Sequence, residues 1–192
     1  MKEIQKQADT AEKIHLELFF PKAEDCWQEA KLLRDPETMS CSAGYDGMSE
    51  GYDYTTGCID CPKEEWQAVF ENRQKKGAFF ADLYDPVLDR FVGSVNYQKN
   101  PASGNDECGM IIEGRYRNRG YGLAGLKLLC AYAKANGIQA LYDNFEADRQ
   151  GVLKLFEKAG FWVCQKTEWK KFGRETDGVI VKIEFKNENR QI

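Results

Sequence analysis

The sequence lacks the excess of positive charge that nucleic-acid-binding proteins carry. Its 27 lysine and arginine residues are outnumbered by 31 acidic residues, and the net charge is −4. A chain with this balance has no general electrostatic attraction for a polyanion, so we expect no nucleic-acid partner. A local basic patch stays open as an alternative, because Arg115, Arg117 and Arg119 lie within five positions.

Long apolar runs are absent as well. No stretch approaches the roughly 18 apolar residues that a membrane span requires. Residues 1–15, MKEIQKQADTAEKIH, lack the apolar segment of a signal peptide. We therefore expect a cytoplasmic protein with no membrane partner. A length of 192 residues, with 42% hydrophobic and 30% charged content, fits one globular domain.

Patterns for metal binding are sparse too. Among the seven cysteines, only Cys58 and Cys61, in CIDC, have a suggestive spacing. A structural zinc site needs a second pair of ligands, and the βαβ context of a thioredoxin-like motif is missing around CIDC. We interpret the cysteines as reduced and mostly packed in the core, predict no metal site, and interpret the lone His15 as structural.

Helix and strand patterns alternate along the chain, without a linker or an internal repeat. Apolar residues at helical spacing predict helices over 23–35, 61–77, 120–137 and 148–160. Strand patterns cover 13–20, 78–85, 90–98, 107–114, 138–146, 161–172 and 178–185. The connections between the strands from 78 to 114 are too short for a crossover helix, so these three strands should be antiparallel.

The resulting order, β-α-α-β-β-β-α-β-α-β-β, predicts an α/β (α+β) fold with a mixed sheet. We expect a single domain over 1–192, with its core at about 12–186 and a polar tail at 187–192.

The most informative stretch is RYRNRGYGLAGLKLL, which begins at Arg115, follows a strand and opens a helix. Glycines at 120 and 122 let the backbone approach a ligand closely and adopt positive φ values. The N–H groups in the first turn of a helix have no internal partners, so with the helix dipole they favour an anion. Arg117 and Arg119 can add charge-assisted hydrogen bonds. The stretch therefore predicts a phosphate-binding loop.

Two motifs share these glycines. Residues 120–125, GYGLAG, satisfy the G-x-G-x-x-G pattern of dinucleotide-binding folds, and Asp143 follows 23 residues after Gly120. However, the six residues from Gly114 to Arg119 lie between the last strand-like position, Glu113, and Gly120. The upstream strands also look antiparallel, and only 49 residues follow Asp143. A dinucleotide-binding enzyme is therefore the less favoured interpretation.

Residues 117–122, RNRGYG, also satisfy Q/R-x-x-G-x-G/A, the coenzyme A signature of the GNAT superfamily of N-acetyltransferases. The surrounding chain resembles that superfamily over about 12–186, most closely its ribosomal-protein and N-terminal-type branch. ECGMIIEGRYRNRGYG (107–122) is similar to its fourth strand and pyrophosphate loop. LFEKAGF (155–161) is similar to the block after its fifth strand, and LLRDPETM (32–39) to the exit of its first helix.

The resemblance implies a GNAT-like fold, in which a mostly antiparallel sheet splays apart between strands four and five, and acetyl-CoA as cofactor. It implies acetyl transfer to a small-molecule or peptide amine by direct attack in a ternary complex. Because dimers are common in the family, a homodimer is also an expectation. The implied cofactor-binding residues are Ile111, Ile112, Arg117, Asn118, Arg119, Gly120, Tyr121, Gly122, Arg149 and Phe156.

Such a reaction needs a base that takes a proton from the ammonium group and an acid that protonates the departing thiolate. Glu107 matches the position of the family's general base, and Glu113, which could instead pair with an arginine, is the second candidate. The family's usual acid, a tyrosine, is Phe156 here, and a phenyl ring has no proton to give. Tyr142 or a water could substitute. Arg149 stands where the family usually has an asparagine.

Two questions stay open from the sequence. Without the usual tyrosine, the chain could be a non-catalytic module that binds acyl-CoA. The loop at 40–57, rich in glycine, tyrosine and acidic residues, could select a cationic amine through charge and cation–π contacts, or it could be a mobile, solvated loop.

Overall fold

The computed structural model describes residues 14–46, 48 and 50–186. The polar tail at 187–192 and the first residue of the first predicted strand lie outside the described residues. The helices are α1 (Trp27–Arg34), α2 (Pro36–Met39), α3 (Trp66–Lys75), α4 (Tyr121–Ala135) and α5 (Gln150–Lys158). The strands are β1 (Glu17–Phe19), β2 (Phe79–Asp85), β3 (Arg90–Lys99), β4 (Asp106–Ile112), β5 (Ala140–Glu146), β6 (Trp162–Lys171) and β7 (Arg174–Glu184).

The strands form one sheet in the order β1-β2-β3-β4-β5-β7-β6. Neighbours are antiparallel except β4 and β5, which are parallel. The expected mixed sheet, with its three consecutive antiparallel strands, is thus confirmed. One element was not predicted, the short helix α2. It begins because the Asp35 carboxylate accepts the N–H groups of Glu37 and Thr38 as an N-cap.

Helices cover both faces of the sheet. On one face, Leu126 and Leu129 of α4 are fully buried together with Leu83 and Leu141 of the strands. A Cβ atom on Gly125 would lie 2.7 Å from Cδ1 of Leu83, so α4 packs this closely only because residue 125 is glycine. Among the helices of the described residues, none has both the length and the apolarity to cross a bilayer.

The cysteines are free thiols, and four of them are buried: Cys26, Cys61, Cys108 and Cys130. Cys164, which the strand pattern would place among apolar neighbours, is exposed on β6. Within the described residues, no group of three or more histidine, cysteine or acidic side chains is placed to hold a metal ion.

A buried polar cluster lies on the other face, between α1, α3 and β2. Arg73 of α3 pairs with Glu29 of α1 and lies 4.1 Å over the ring of Phe80 in β2. Asp82 of β2 is 1% exposed, and its Oδ1 has no hydrogen-bond partner within the described part of the chain. Burial and then the nearby Glu29 carboxylate raise the pKa of Asp82 to about 7. Ionisation of Asp82 therefore opposes folding.

We expect Asp82→Asn to stabilise the protein at about pH 8. The pKa of Asp82 is near 7 in the folded state, and its ordinary value is 3.8. Between these two pH values the folded state binds more protons than the unfolded state, so the free energy of unfolding falls as pH rises through this range. An amide cannot ionise, so the variant escapes this fall. Its free energy of unfolding should exceed that of the wild type by up to about 4 kcal/mol, measured by urea unfolding at about pH 5 and pH 8.

Asp85→Asn is the matched control. Burial alone would raise the pKa of Asp85, but hydrogen bonds from the Tyr121 hydroxyl and from the N–H groups of Leu88 and Val87 outweigh it and lower that pKa. Its removal should therefore destabilise the protein at the same pH. If Asp82→Asn also destabilised it, Asp82 would be ionised and stabilising in the folded protein, contrary to our interpretation.

Candidate active site

The site begins where β4 and β5 separate. These parallel strands share a single registered pair, Glu107 with Tyr142. On its other side β4 pairs with β3 from Asp106 to Ile112, and β5 pairs with β7 along its whole length. Beyond the Glu107–Tyr142 pair, β4 therefore borders a gap instead of a strand. The expected splay between strands four and five is confirmed, and we call it the fork.

A cavity of about 820 Å³ fills the fork. Two of its walls are formed by residues 109–112 of β4 and 143–145 of β5. The rest is formed by α5, the loop before α4 and the first turn of α4. Residues after α1, including Met39 and Ser42, close one side. The volume lies within the roughly 300–1,000 Å³ typical of small-molecule and cofactor sites.

The N-terminus of α4 opens onto this cavity. Gly120 is its N-cap with φ of 92°, and Asn118 has φ of 58°, so the chain turns through two left-handed residues before the helix starts. No side chain caps the first N–H groups of the helix. A Cβ atom on Gly122 would lie 2.7 Å from Cδ1 of Leu155 in α5. The loop therefore offers an anion a close approach to unpaired N–H groups.

The cavity is basic at its open end and apolar along its walls. Arg117, Arg149, Lys154 and Lys158 line it where the loop and α5 meet. Most of the other lining side chains are apolar: Met110, Ile111, Ile112, Leu123, Phe145, Val152, Leu155 and Phe156. Polar side chains, among them Asp143 and Asn144, also line it. A ligand that carries phosphate at one end and a slender, mostly uncharged arm at the other fits this distribution of charge. Coenzyme A has that construction.

Arg117 has a structural function that its place in the motif did not indicate. Its guanidinium donates hydrogen bonds to the backbone carbonyls of Ile112 (3.2 Å), Glu37 (3.2 Å) and Thr38. Nearby, the Gly114 N–H donates to Oγ1 of Thr38 at 2.9 Å. These bonds join the phosphate loop to α2, so Arg117 holds the loop in shape as well as lining the cavity.

The other loop residues differ in where their side chains lie. Arg119 is exposed and is not part of the cavity lining. Tyr121 is 8% exposed, and its hydroxyl donates to Asp85 at 2.7 Å. Its side chain therefore belongs to the core, and only its backbone N–H lies in the helix start. Sequence reasoning could not separate these roles, because all the residues of this loop are adjacent in the chain.

Glu113 lies just beyond β4, which ends at Ile112, two residues before its expected end at 114. Its carboxylate is 9% exposed and pairs with Lys31 Nζ (3.1 Å) and Arg115 Nε (2.8 Å). Two cations occupy the oxygens of this carboxylate. The pairing favours the alternative in which Glu113 partners an arginine over a role as general base.

Glu107 and Tyr142 meet at the closed end of the fork. As registered partners they share one face of the sheet, and alternation along β4 places that face opposite α4. Glu107 is half-buried and accepts a hydrogen bond from Asn100 Nδ2 at 2.8 Å. The Lys182 ammonium lies 5.2 Å from the centre of the Tyr142 ring. Neither Glu107 nor Tyr142 is among the residues that line the cavity.

Two cavity residues matter for proton transfer. Phe156 is 3% exposed, with its ring 4.9 Å from Phe161 and 5.4 Å from Phe145. Asp143, which belongs to the less favoured dinucleotide-binding pattern, lines the cavity beside them. Burial raises the pKa of Asp143 to about 7. An acidic residue at a position that alternates with Leu141 and Phe145 was the available signal.

The loop at 40–57 is held by specific contacts at its described residues. Tyr45 bridges to Lys171 of β6, and its ring lies 5.2 Å from that of Trp169. Lys171 Nζ pairs at 2.6 Å with Glu146, which is buried at the end of β5. Burial alone would raise the pKa of Glu146, but the hydrogen bonds from Lys171 and Tyr45 lower it to about 2. The loop thus packs onto the β6–β7 hairpin instead of standing free in solvent.

Comparison with known proteins agrees with this geometry. The model of the acetyltransferase (GNAT) family matches residues 19–161. No curated protein matches the chain in sequence. Solved structures similar to it include the ribosomal-protein-S5-alanine acetyltransferase of Vibrio fischeri, at 15% identity and a TM-score of 0.70, which covers 94% of this chain and 98% of that one.

Two further similar structures are acetyltransferases. A phosphinothricin acetyltransferase of the GNAT superfamily from Sinorhizobium meliloti, solved with acetyl-CoA, is 16% identical at a TM-score of 0.67, over 89% of this chain and 88% of that one. An N-acetyltransferase of Staphylococcus aureus Mu50 is 18% identical at 0.66, over 88% and 98%. At such identities the likeness shows the fold alone, and the ribosomal-protein branch stays a prediction.

Loss of the Lys171 ammonium should loosen the loop at 40–57. Among the described residues, Lys171→Met leaves Arg149, at 3.5 Å, as the cationic partner of the buried Glu146 carboxylate. We expect the free energy of unfolding to fall by roughly 2 kcal/mol, less than a fully broken buried pair costs because Arg149 remains. Limited proteolysis should cut the loop faster than in the wild type.

Lys170→Met is the control for this change. Lys170 pairs with Asp46 at 3.5 Å, but both side chains are at least half exposed, and such surface pairs contribute little. Equal proteolysis of the two variants would show that the Glu146–Lys171 pair does not anchor the loop.

Proposed function

The chain belongs to the acetyltransferase (GNAT) family, whose members use acetyl-CoA, and we propose that it transfers the acetyl group to a primary amine. One observation carries this proposal. The fork joins an anion-binding cradle at Gly120 to a closed end where Glu107 stands. A cofactor held by its phosphates can thus extend along β4 to meet an amine that approaches from the opposite face.

The residues of the cavity suit acetyl-CoA. The N–H groups at the start of α4, together with Arg149 and the lysines of α5, would hold its phosphates. On the side that faces the fork, β4 pairs with no described strand from Gly109 to Ile112, so its backbone groups there, apart from the Ile112 carbonyl that Arg117 occupies, are available to bond the pantetheine arm. When bound, acetyl-CoA supplies an acetyl group activated as a thioester. The apolar walls, including Phe156, keep water from that end.

Glu107 is the residue we propose as general base. A primary amine is protonated at neutral pH, and it must lose a proton before its nitrogen can attack a carbonyl carbon. The Glu107 carboxylate stands at the closed end of the fork on the acceptor face, where Asn100 orients one of its oxygens. It takes the proton directly or through one water, and Tyr142 lies beside it in register.

The substrate class we propose is an amine on a small molecule or a peptide. Glu107 provides a negative charge at the end of the fork, which favours a cationic acceptor over a neutral alcohol or an anionic one. Tyr45 and Trp169, held together at the edge of this face, add aromatic surface of the kind that binds ammonium groups.

Thiol release from acetyl-CoA, followed against a panel of polyamines, amino sugars, amino acids and peptides, tests the function. We expect release with at least one primary amine and none with its N-acetylated form. Glu107→Gln should lower kcat by about 100-fold at neutral pH while acetyl-CoA binding is kept, since only proton transfer is lost. Tight binding with no release from any amine would favour the non-catalytic module suggested by Phe156.

Acetyl-CoA should raise the melting temperature of the protein, and Gly120→Glu should abolish that rise. A ligand at 100 times its Kd stabilises by about 2.7 kcal/mol. The glutamate would put a bulky anion where the phosphates bind, at a position whose φ of 92° already requires glycine.

Gly137→Glu controls for backbone strain, because Gly137 also has positive φ, at 81°, but nothing within 4 Å of its Cβ position at the other end of α4. It should melt lower yet still respond to acetyl-CoA. A normal response from Gly120→Glu, or stabilisation by NAD in place of acetyl-CoA, would refute the assignment of the loop.

A further inference from the structure

Acetyl transfer from a thioester needs a proton for the departing sulfur, and the family's usual donor is missing here. Phe156 stands in place of the tyrosine and is packed between Phe145 and Phe161. A phenyl ring cannot donate a proton. A side chain that lines the same cavity and carries a proton near neutral pH can supply what the phenyl ring lacks.

Asp143 is the one carboxyl group among the described residues that line the cavity. It is the first residue of β5 beyond the single pair that joins β5 to β4, so it stands at the closed end of the fork. Alternation along β5 places it on the face of Leu141 and Phe145, which is the face of α4 and α5. A ligand whose phosphates sit at the start of α4 extends toward this end.

The surroundings of Asp143 keep its carboxyl partly protonated. Cys108 of β4 and Val181 of β7 lie beside it, and both are buried. Burial is the main cause that raises the pKa of Asp143 to about 7, and the Glu107 carboxylate adds to the rise.

Two favourable contacts oppose that rise. The Asn144 N–H donates to Oδ1 of Asp143 at 2.7 Å, and the positive charge of Arg149 also favours the ionised form. The balance leaves a carboxyl group whose proton is available near neutrality, which suits a general acid.

We propose that Asp143 is the general acid of this enzyme and gives its proton to the sulfur that leaves. This inference rests on the proposed function. As the C–N bond forms and the C–S bond breaks, the electron pair of the broken bond stays with sulfur and takes up the Asp143 proton, which yields a thiol. The proton lost by the amine goes to Glu107 or water, and Asp143 regains its proton from water after the products leave.

Glu107 and Asp143 have different roles in this proposal because they lie on opposite faces of the fork. Glu107 and Tyr142 are registered partners on the acceptor face, and Asp143, the next residue of β5, faces the cofactor side. The pKa of Asp143 is raised to about 7 on the cofactor side, whereas Glu107 accepts a hydrogen bond from Asn100 on the acceptor face. Pairs of carboxyl groups held in different environments are a common way to assign acid and base within one site.

Asp143→Asn removes the proton donor with almost no change in shape. We expect kcat to fall by about 100-fold, with little change in the KM for acetyl-CoA. The fall in wild-type kcat above neutral pH, where Asp143 loses its proton, should disappear in the variant. Asp177→Asn makes the same charge change at an exposed position of β7 and should leave kcat and its pH profile unchanged.

Phe156→Tyr tests whether a hydroxyl at position 156 can replace the proton donor lost in Asp143→Asn. In the Asp143→Asn background it restores a hydroxyl at the family's position, beside the cavity, and kcat should recover by at least 10-fold. If Asp143→Asn turns over as fast as the wild type, Asp143 is not the acid, although the proposed function stands. If Asp143→Asn is slow and Phe156→Tyr does not rescue it, the role of Asp143 is structural and the inference is overturned.

Binding provides a readout that needs no acceptor. The cofactor covers Asp143 and removes its remaining contact with water, which raises its pKa further, so the protein should take up protons when acetyl-CoA binds at about pH 7. Titration calorimetry in two buffers of different ionisation enthalpy measures this uptake, which Asp143→Asn should abolish. Binding without uptake in the wild type overturns the inference, whereas absence of binding overturns the proposed function with it.

Discussion

The separation of β4 from β5 is the constraint on which the rest of the site depends. Each strand is fixed by an antiparallel neighbour on its far side, β3 for β4 and β7 for β5, so neither can move to close the gap. One registered pair, Glu107 with Tyr142, holds the two strands together at one end. Beyond it the backbone of β4 has an unpaired edge, and buried backbone groups need partners. A ligand that lies along β4 can supply the hydrogen-bond partners that a neighbouring strand would supply in a closed sheet.

Carboxyl groups in this protein differ widely in pKa, and their burial and contacts explain the differences. Asp82 and Asp143 lie where burial dominates, and the pKa of each is raised to about 7. Glu146 is buried as well, but contacts with Lys171 and Tyr45 lower its pKa to about 2. Partners, rather than depth alone, decide the charge. Of these two aspartates with a raised pKa, Asp82 lies within the helix-covered core, whereas Asp143 lines a cavity that a ligand can enter.

Much of the fold followed from the sequence because its signals are local. Periodicity located the helices and strands, and short turns required β2, β3 and β4 to be antiparallel. Helix α2 was missed, since four residues are too few for a periodic pattern and its start depends on the Asp35 side chain. The strand boundary at Ile112 was also misplaced, and it matters because Glu113 then turns toward Lys31, which is 82 positions away in the chain.

The sequence by itself determined the shape of the candidate phosphate-binding loop, because glycines at 120 and 122 and the start of a helix are adjacent in the chain and act through their own backbone. It also indicated Glu107, and it revealed the lack of a hydroxyl at Phe156. Only the tertiary structure decided the roles that depend on distant neighbours. In the folded chain Arg117 donates a hydrogen bond to the Thr38 carbonyl, Glu113 pairs with two cations, and Asp143 lines the cavity. The charge and the contacts of a side chain depend on which strands and helices the fold brings around it.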